Sequence, residues 1–348
     1  MRFRKSTGGI KDIRMKKILI TGAAGFVGSH LVEHLLFQGI KRKDIRLFVK
    51  KGESLKNLPD SDFDIIESDI RDKNAVNKST EGVETVYHLA ANTVTDGSKY
   101  KDCKDVNVDG TQNILDACKG KKIRKFIYFS TIAVYGLPAY VGEIVNWNET
   151  QPKKPAEAYG ESKLEAEKRV IKTHEETGIP YIIIRPTTVY GPRDYQGIFE
   201  LYRAINKRYF FMIGNGKNKM DYVFVKDLVR GAREAELSKY QVGDYILGSG
   251  KPTTLNTIVN CISKSIGKKV PKFFLPKDLA LAVSYLPWIT GKLVGVKSPI
   301  FPNRVKILTT SCYYDISKAK KEISYNPSIS FRKGTQITAK WLKDNKLI

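Results

Sequence analysis

Short hydrophobic runs alternate with amphipathic stretches along the first half of the chain. Between the runs, apolar residues recur at helical spacing, as in Ser29–Gln38, which Gly39 ends. Strands separated by helices build parallel sheets with helices on both faces, so the pattern predicts an α/β fold with a doubly wound parallel sheet. The predicted strands are Lys17–Ile20, Ile45–Val49, Phe63–Glu67, Val83–Leu89, Ile123–Phe129 and Tyr181–Ile184.

Three glycines join the first strand to the first helix. Gly22, Gly25 and Gly28 have G-x-x-G-x-x-G spacing. We expect Gly22 to make a tight turn, Gly25 to let the backbone approach a phosphate, and Gly28 to let the helix pack on the strand. A strand that turns directly into a helix also presents free N–H groups and the positive end of the helix dipole. The stretch predicts a seat for a pyrophosphate, with a ligand-free glycine-rich turn as the alternative.

The second half of the chain has a different rhythm. After Arg185, short motifs and proline-rich stretches replace the regular strand–helix units. We expect residues 16–184 to form a dinucleotide-binding (Rossmann) domain and residues 185–348 mostly a smaller α/β substrate-binding domain. Segments near 221–229 and 245–247 are expected to return to the first domain. Residues 1–15 are basic and lack an apolar run, which is typical of a disordered tail rather than a secretory signal.

The chain is strongly basic. Its 348 residues contain 60 Lys and Arg against 36 Asp and Glu, a formal net charge of +24. Because the cations are scattered and no aromatic block is interleaved with arginine, a solvated lysine-rich surface is favoured over a nucleic-acid face. The four cysteines form no C-x-x-C pair, so we expect no metal site and no disulfide framework. This cysteine usage favours a reducing compartment, and we expect a cytoplasmic location.

Residues after the second and third strands bear on the choice of cofactor. A carboxylate after the second strand favours NAD, whereas a cation there accommodates the extra phosphate of NADP. Lys50 occupies this place, which tilts the prediction toward NADP and leaves NAD open. After the third strand, Asp69 could accept a hydrogen bond from the adenine amino group and Ile70 could pack on the ring, or the pair could form a simple turn.

A tyrosine followed four residues later by a lysine is a candidate acid–base pair. The two side chains share a helix face, so the lysine charge should lower the pKa of the phenol. The pattern begins at Tyr100, Tyr159 and Tyr314. Only Tyr159 starts a strongly helical stretch after the strand that ends at Thr131, and ligands bind at the carboxyl ends of parallel strands. Tyr159 and Lys163 are therefore the favoured pair.

Taken in order, these motifs resemble the extended short-chain dehydrogenase/reductase superfamily, also called the NAD-dependent epimerase/dehydratase family. The resemblance runs from Lys16 to Lys343. It rests on the segments Thr21–Gly28, Asp69–Ile70, His88–Ala91, Asn107–Thr111, Ser130–Gly136, Tyr159–Lys163 and Arg185–Pro192.

The resemblance implies roles for individual residues. Thr131 would hydrogen-bond the substrate oxygen, Tyr159 would exchange a proton with it, and Lys163 would hold the nicotinamide ribose. A small-molecule substrate and a homodimer are also implied. The expected cofactor contacts are Gly22, Ala24, Gly25, Phe26, Val27, Gly28, Lys50, Asp69, Ile70, Leu89, Ala90, Ala91, Asn107, Ser130, Tyr159, Lys163 and Pro186.

Family membership leaves the substrate open. Ile132 and Ala133 stand where sugar-nucleotide 4,6-dehydratases carry Asp-Glu, which argues against water elimination. Thr188 replaces an asparagine usual in sugar-nucleotide epimerases, and Met220 replaces an arginine. C-terminal segments such as Pro302–Leu308 are similar to the 3β-hydroxysteroid and sterol-4-carboxylate dehydrogenase branch.

We therefore expect an NAD(P)-dependent oxidoreductase that interconverts a secondary alcohol and a ketone on a steroid-like or other apolar ring substrate. A sugar-nucleotide (UDP-sugar) epimerase is the alternative. A non-catalytic nucleotide-sensing or nucleic-acid-binding module is a distant alternative. The apolar run Leu279–Val296 could line an apolar pocket or touch a membrane surface, but a buried helix is favoured.

Overall fold

The structure is a computed structural model that describes residues 17–59, 62–93, 100–136, 144–270, 274–294, 305 and 309–348. The expected tail at residues 1–15 lies outside the described residues, as does most of the segment 302–308.

The strands, in chain order, are β1 (Lys17–Thr21), β2 (Ile45–Val49), β3 (Asp64–Glu67), β4 (Val83–His88), β5 (Lys125–Phe129), β6 (Ile144–Trp147), β7 (Tyr181–Pro186), β8 (Thr188–Tyr190), β9 (Met212–Ile213), β10 (Lys219–Met220), β11 (Tyr222–Phe224), β12 (Val242–Leu247), β13 (Thr253–Thr254), β14 (Phe274–Leu275) and β15 (Ser311–Tyr314). The helices are α1 (Phe26–Phe37), α2 (Lys73–Ser79), α3 (Tyr100–Lys104), α4 (Gly110–Cys118), α5 (Ala158–Thr177), α6 (Gly197–Asn206), α7 (Val225–Leu237), α8 (Leu255–Ile266), α9 (Lys277–Val294), α10 (Ser317–Ile323) and α11 (Phe331–Asp344).

A seven-stranded parallel sheet forms the centre of the fold, with strand order β12-β7-β5-β4-β1-β2-β3. Every strand predicted from the sequence is present in it, so the predicted fold class is confirmed. The chain builds outward from β1 through β2 to β3, then returns to place β4 on the other side of β1. That reversal opens a crevice at the carboxyl ends of β1 and β4, where ligands bind in such sheets.

Both faces of the sheet are covered, which explains the nearly continuous hydrophobic runs of its strands. On β1, Ile18 and Ile20 pack into one core together with α1 and α7, whereas Leu19 packs into the opposite core with α4 and α5. Neighbouring residues of a strand point to opposite faces, so this short segment contributes to both cores.

Part of the second half of the chain belongs to the same sheet. Strand β12 pairs with β7 in parallel, with Tyr245 opposite Ile184, and α7 packs beside α1. The other C-terminal strands form two strand pairs and, together with β6 from the first half of the chain, a four-stranded sheet, and a separate core joins α6, α8 and α11. The two-domain division at residue 184 stays a prediction.

The run that begins at Leu279 forms α9, and over residues 279–285 it differs from the favoured expectation of a buried helix. Leu279 and Val283 are half exposed, whereas Ala280 and Ser284 are buried. Only one side of this stretch is therefore covered. Among the described residues, no helix has the length and apolar character needed to span a bilayer.

Candidate active site

A cleft of about 1320 Å³ lies at the β1–β4 reversal. Glycine-turn residues lie at one end of it and the tyrosine–lysine pair at the other. The predicted site residues on its wall are Gly22, Ala24, Gly25, Phe26, Val27, Gly28, Lys50, Asp69, Ile70, Leu89, Ala90, Ala91, Ser130, Thr131, Tyr159, Lys163 and Pro186.

The glycine turn is close-packed at each of its three glycines. Gly22 has a φ of 68°, and a β-carbon added there would lie 2.9 Å from the Ala90 nitrogen. A β-carbon on Gly28 would collide with the Gly22 carbonyl oxygen and lie 2.9 Å from the Ala23 α-carbon. Helix α1 begins at Phe26, earlier than the predicted Ser29, and Gly25 caps it without a side-chain hydrogen bond. The turn therefore presents a helix N-terminus to the cleft, as a pyrophosphate seat requires.

A buried chain of hydrogen bonds starts beneath this turn. The Thr21 hydroxyl accepts from the backbone N–H groups of Leu89 (3.2 Å) and Ala90 (3.1 Å), which leaves its proton to donate to His88 Nδ1 (2.7 Å). His88 Nε2 then donates to the Thr111 hydroxyl at 2.9 Å, and Thr111 donates to the Asn107 carbonyl at 2.6 Å. Burial lowers the pKa of His88 to about 3, which keeps the ring neutral.

Asn107 is the one predicted cofactor contact that does not line the cleft, and its contact with the cofactor stays a prediction. It is fully buried in a π-helical turn, Asp105–Asp109, which the sequence pattern did not predict. Its side-chain oxygen accepts from the Asn92 N–H at 2.7 Å, and its amide donates to Ser162 Oγ at 2.9 Å. Ser162 in turn donates to the Tyr159 carbonyl at 2.8 Å. Through Ser162, Asn107 therefore helps to fix α5, the helix that carries Tyr159 and Lys163.

The acid–base candidates converge at the other end of the cleft. Thr131 follows β5 and caps a short 3₁₀ turn, accepting from the Ala133 N–H at 3.1 Å. A hydrogen bond from Thr131 favours the phenolate of Tyr159, but burial dominates and raises the Tyr159 pKa to about 12. The Lys163 ammonium lies 4.2 Å from the centre of the Tyr128 ring, and burial lowers the Lys163 pKa to about 7.

The expected electrostatics of this pair therefore need correction. We expected the charge of Lys163 to lower the Tyr159 pKa, yet that pKa is raised. The physical reason is that both groups are desolvated, which disfavours the charged form of each. Cys103, next to the phenol, adds to the rise.

Asp69 lies on the cleft wall, and its expected hydrogen bond from the adenine amino group stays a prediction. Both carboxylate oxygens are engaged by the Arg71 guanidinium, at 2.8 and 2.7 Å, and this contact lowers the Asp69 pKa to about 2. Arg71 lies on the cleft wall as well and was not predicted. An arginine two residues after the predicted aspartate was the signal available in the sequence.

Glu53 and Arg193 are among the further wall residues that the sequence analysis did not predict. Glu53 lies on the wall near Lys50, with its carboxylate 3.4 Å from the Lys50 backbone nitrogen. Arg193 has a φ of 70°, donates to Ser29 Oγ at 3.3 Å and pairs with Glu33, so it joins the segment after β8 to α1. Nothing local in the sequence indicates a contact across so many residues.

Comparison with known proteins establishes the family. The model of the NAD dependent epimerase/dehydratase family matches residues 18–243. The chain belongs to this family.

The family's dehydrogenases and epimerases are both represented among similar proteins. The Arabidopsis thaliana 3beta-hydroxysteroid-dehydrogenase/decarboxylase isoform 2 is 28% identical over 347 residues, covering 92% of this chain but only 61% of the relative. The Escherichia coli O157:H7 N-acetyl-alpha-D-glucosaminyl-diphospho-ditrans,octacis-undecaprenol 4-epimerase is 29% identical over 312 residues, covering 86% of this chain and 88% of the relative. The crystal structure of UDP-glucuronic acid 4-epimerase from Bacillus cereus in complex with NAD aligns with a TM-score of 0.74 and 26% identity, over 94% of this chain and 99% of that one.

The site fits the nicotinamide dinucleotide that the epimerase/dehydratase family uses. The glycine turn leaves no room for β-carbons, α1 begins at the turn, and one cleft is lined by both the turn and Tyr159. Among the described residues, no group of three His, Cys, Asp or Glu side chains could hold a metal ion.

Two residues used to argue about the family member's substrate do not reach the cleft. Thr187 and Val189 lie on the cleft wall, whereas Thr188 between them is exposed elsewhere. Met220 lies in β10, opposite Thr253, and packs against the C-terminal core. The argument from these two departures against a sugar nucleotide stays a prediction.

Proposed function

We propose that this chain interconverts a secondary alcohol and a ketone by hydride exchange with a nicotinamide cofactor, with Tyr159 as the proton donor and acceptor. The observation that supports this most strongly is the convergence of Thr131, Tyr159 and Lys163 on the cleft that also contains the glycine turn. Bound NAD(H) or NADP(H) would accept or supply the hydride at its nicotinamide ring.

Each residue has a distinct task in this proposal. Thr131, at the end of a rigid strand, orients the substrate oxygen beside the Tyr159 phenol. Burial keeps the phenol protonated, so in the direction of ketone reduction it is ready to donate a proton. In the direction of alcohol oxidation the phenolate is needed, and the hydrogen bond from Thr131 favours it.

For the substrate, we propose a steroid-like or other apolar ring. The support is the sequence similarity to the Arabidopsis hydroxysteroid dehydrogenase/decarboxylase and to its branch of the family. The chain spans about three fifths of that relative's length, 61%, so the comparison does not cover the relative's whole activity.

UDP-sugar epimerisation is the second candidate, and a specific observation favours it. The Bacillus cereus epimerase aligns over 99% of its own chain with a TM-score of 0.74, and the undecaprenol-linked sugar epimerase is 29% identical to this chain over 88% of its own length. The same hydride step serves an epimerase, which returns the hydride to the opposite face of the ketone.

We propose that the site accepts both NAD and NADP. Lys50 is exposed at the end of β2, where a cation favours the extra phosphate of NADP. Glu53 brings a carboxylate to the same wall, where it would favour the ribose hydroxyls of NAD. A small-molecule substrate with no nucleic-acid partner, a homodimer, a cytoplasmic location and contact with a membrane surface stay predictions.

Incubation with NADH or NADPH and a panel of ketosteroids and UDP-sugars tests the proposal. Oxidation of the cofactor by a ketosteroid supports the dehydrogenase, and conversion of a UDP-sugar without net cofactor oxidation supports the epimerase. Absence of both reactions in protein that binds NADH would contradict hydride transfer on either substrate class.

A further inference from the structure

A buried carboxylate lies directly behind the reaction end of the cleft. Glu167 is on α5, one helical turn beyond Lys163 and two beyond Tyr159, and its side chain is 1% exposed. Burial of a carboxylate is costly unless its oxygens are paired. The hydrogen-bond partners of the two Glu167 oxygens therefore show which residues this carboxylate holds in place.

Both oxygens of Glu167 have strong partners. The Arg185 guanidinium binds them through Nε–Oε1 and Nη2–Oε2 contacts, both at 2.8 Å. Ser130 Oγ donates to Oε1 at 2.6 Å. Ser130 immediately precedes Thr131 at the end of β5, and Arg185 immediately precedes Pro186 on β7. One carboxylate thus ties together three elements that supply the cleft wall.

The charge of Glu167 also acts on Lys163. It raises the Lys163 pKa and so opposes the burial that lowers it to about 7. Tyr159 on the same helix, His88 on β4 and Tyr128 on β5 are the other titratable groups near this ammonium. Burial keeps all three uncharged, because it raises the pKa of both tyrosines and lowers that of His88 to about 3.

Arg185 has further partners on the side away from the cleft. It donates to Asp244 at 2.6 Å and to the Tyr135 hydroxyl at 2.9 Å, and Lys318 pairs with Asp244 at 2.7 Å. Arg185 therefore stays paired if Glu167 loses its charge, whereas Lys163, one helical turn away on α5, loses the negative charge that raises its pKa.

We propose that Glu167 is a positioning residue for the reaction: it fixes the Ser130–Thr131 segment and places the negative charge that stabilises the Lys163 ammonium. This inference rests on the roles proposed above for Thr131 and Lys163. Glu167 itself does not contact the substrate or the cofactor in this proposal.

The test compares Glu167→Gln with Glu165→Gln, which removes the same charge from a partly exposed position of the same helix. NADH affinity is measured by fluorescence across neutral and alkaline pH, where deprotonation of Lys163 should weaken binding. In Glu167→Gln we expect this weakening to begin about one pH unit lower than in the wild type. Glu165→Gln should keep the wild-type profile, and a wild-type profile in Glu167→Gln would overturn the electrostatic role.

Two more variants separate positioning from stability. Glu167→Asp retains the charge and should restore the wild-type pH profile for binding, even if the protein is less stable. Ser130→Ala removes the 2.6 Å hydrogen bond and should lower kcat, measured at saturating NADH, about tenfold. An unchanged kcat in Ser130→Ala would overturn the positioning role of the serine contact.

If wild-type protein binds NADH but reduces no ketone, hydride transfer on the tested substrates fails as the function. The binding profiles still decide the role of Glu167, since they need no turnover. If Glu167→Gln does not fold, the profile of Glu167→Asp takes its place: a shift despite the retained charge would contradict the proposal.

Discussion

The two ends of the cleft differ in the protein groups that form their walls. At the glycine end the wall is mostly backbone, and its shape depends on the missing β-carbons of Gly22 and Gly28. At the reaction end the wall consists of side chains, the partly buried Thr131 and Tyr159 and the buried Lys163, whose pKa is raised by the charge of Glu167. Substitutions that change shape should therefore impair function most at the glycine end, and substitutions that change charge should impair it most at the reaction end. The predictions below test this contrast, beginning with the largest effect.

Tyr159→Phe should abolish most hydride transfer while leaving the cofactor end intact. Loss of a general acid–base group costs about 10²–10⁴-fold in rate, so we expect kcat to fall by about three orders of magnitude. NADH affinity, measured by fluorescence, should change by less than about threefold, because the glycine turn is untouched. Tyr100→Phe is the matched control, since it removes a hydroxyl from the same Tyr–Lys spacing outside the cleft wall. Turnover of Tyr159→Phe at the Tyr100→Phe rate would refute the assignment.

Gly28→Ala should have the opposite effect to Tyr159→Phe: NADH affinity should fall more than kcat. The added carbon collides with the Gly22 carbonyl, so the turn must open and the end of α1 must shift. We expect NADH affinity to fall about 100-fold, with some loss of stability, by the same fluorescence titration. Gly25→Ala provides a graded comparison, because its new carbon would lie 3.2 Å from the same oxygen. Equal losses in the two variants would show that close packing of the turn does not set affinity.

His88 links the two ends and gives a prediction about pH. Its pKa is about 3 in the folded protein against 6.5 for the ordinary side chain, so the unfolded chain binds this proton first as pH falls. The stability contribution is complete above pH 6.5 and is lost toward the folded pKa. Between pH 6.5 and 4 we expect a loss of about 3 kcal/mol in unfolding free energy from this residue.

Urea unfolding at a series of pH values measures this loss. In His88→Gln the dependence on pH over the same window should be shallower than in the wild type, although the variant is less stable throughout. The slope that remains includes the contribution of His30, whose pKa burial lowers to about 4. An unchanged slope would mean that the His88 ring is not held neutral by the fold.

The comparison also explains which features the sequence could predict. Strand β2 lies where its hydrophobic run placed it, because a buried parallel strand is encoded by consecutive residues. Helix α1 starts before the predicted Ser29, since the glycine turn itself supplies the first helical residues. The family motifs located Tyr159 and Lys163, but not the burial that raises one pKa and lowers the other.

Long-range contacts were the least predictable part of the site. The role of Asn107 depends on Asn92 and Ser162, and that of Arg193 depends on Glu33, all brought together only by the fold. A motif shows that a residue belongs to a site, but it does not distinguish a wall residue from one that supports the wall from behind. For that reason the motif at Asn107 did not reveal that this residue is buried behind the wall.

The smallest expected effect concerns the choice between NAD and NADP, where Lys50 and Glu53 oppose each other at the rim of the glycine end. Both side chains are solvated, and exposed charges contribute little free energy each. Lys50→Gln should shift the ratio of NADP to NAD affinities toward NAD, and Glu53→Gln toward NADP, each by about threefold to tenfold. Titrations with both cofactors at two salt concentrations provide the measurement, because screening should shrink both shifts. If the two variants move the ratio in the same direction, or if salt leaves the shifts unchanged, cofactor choice is set by the shape of the turn rather than by these charges.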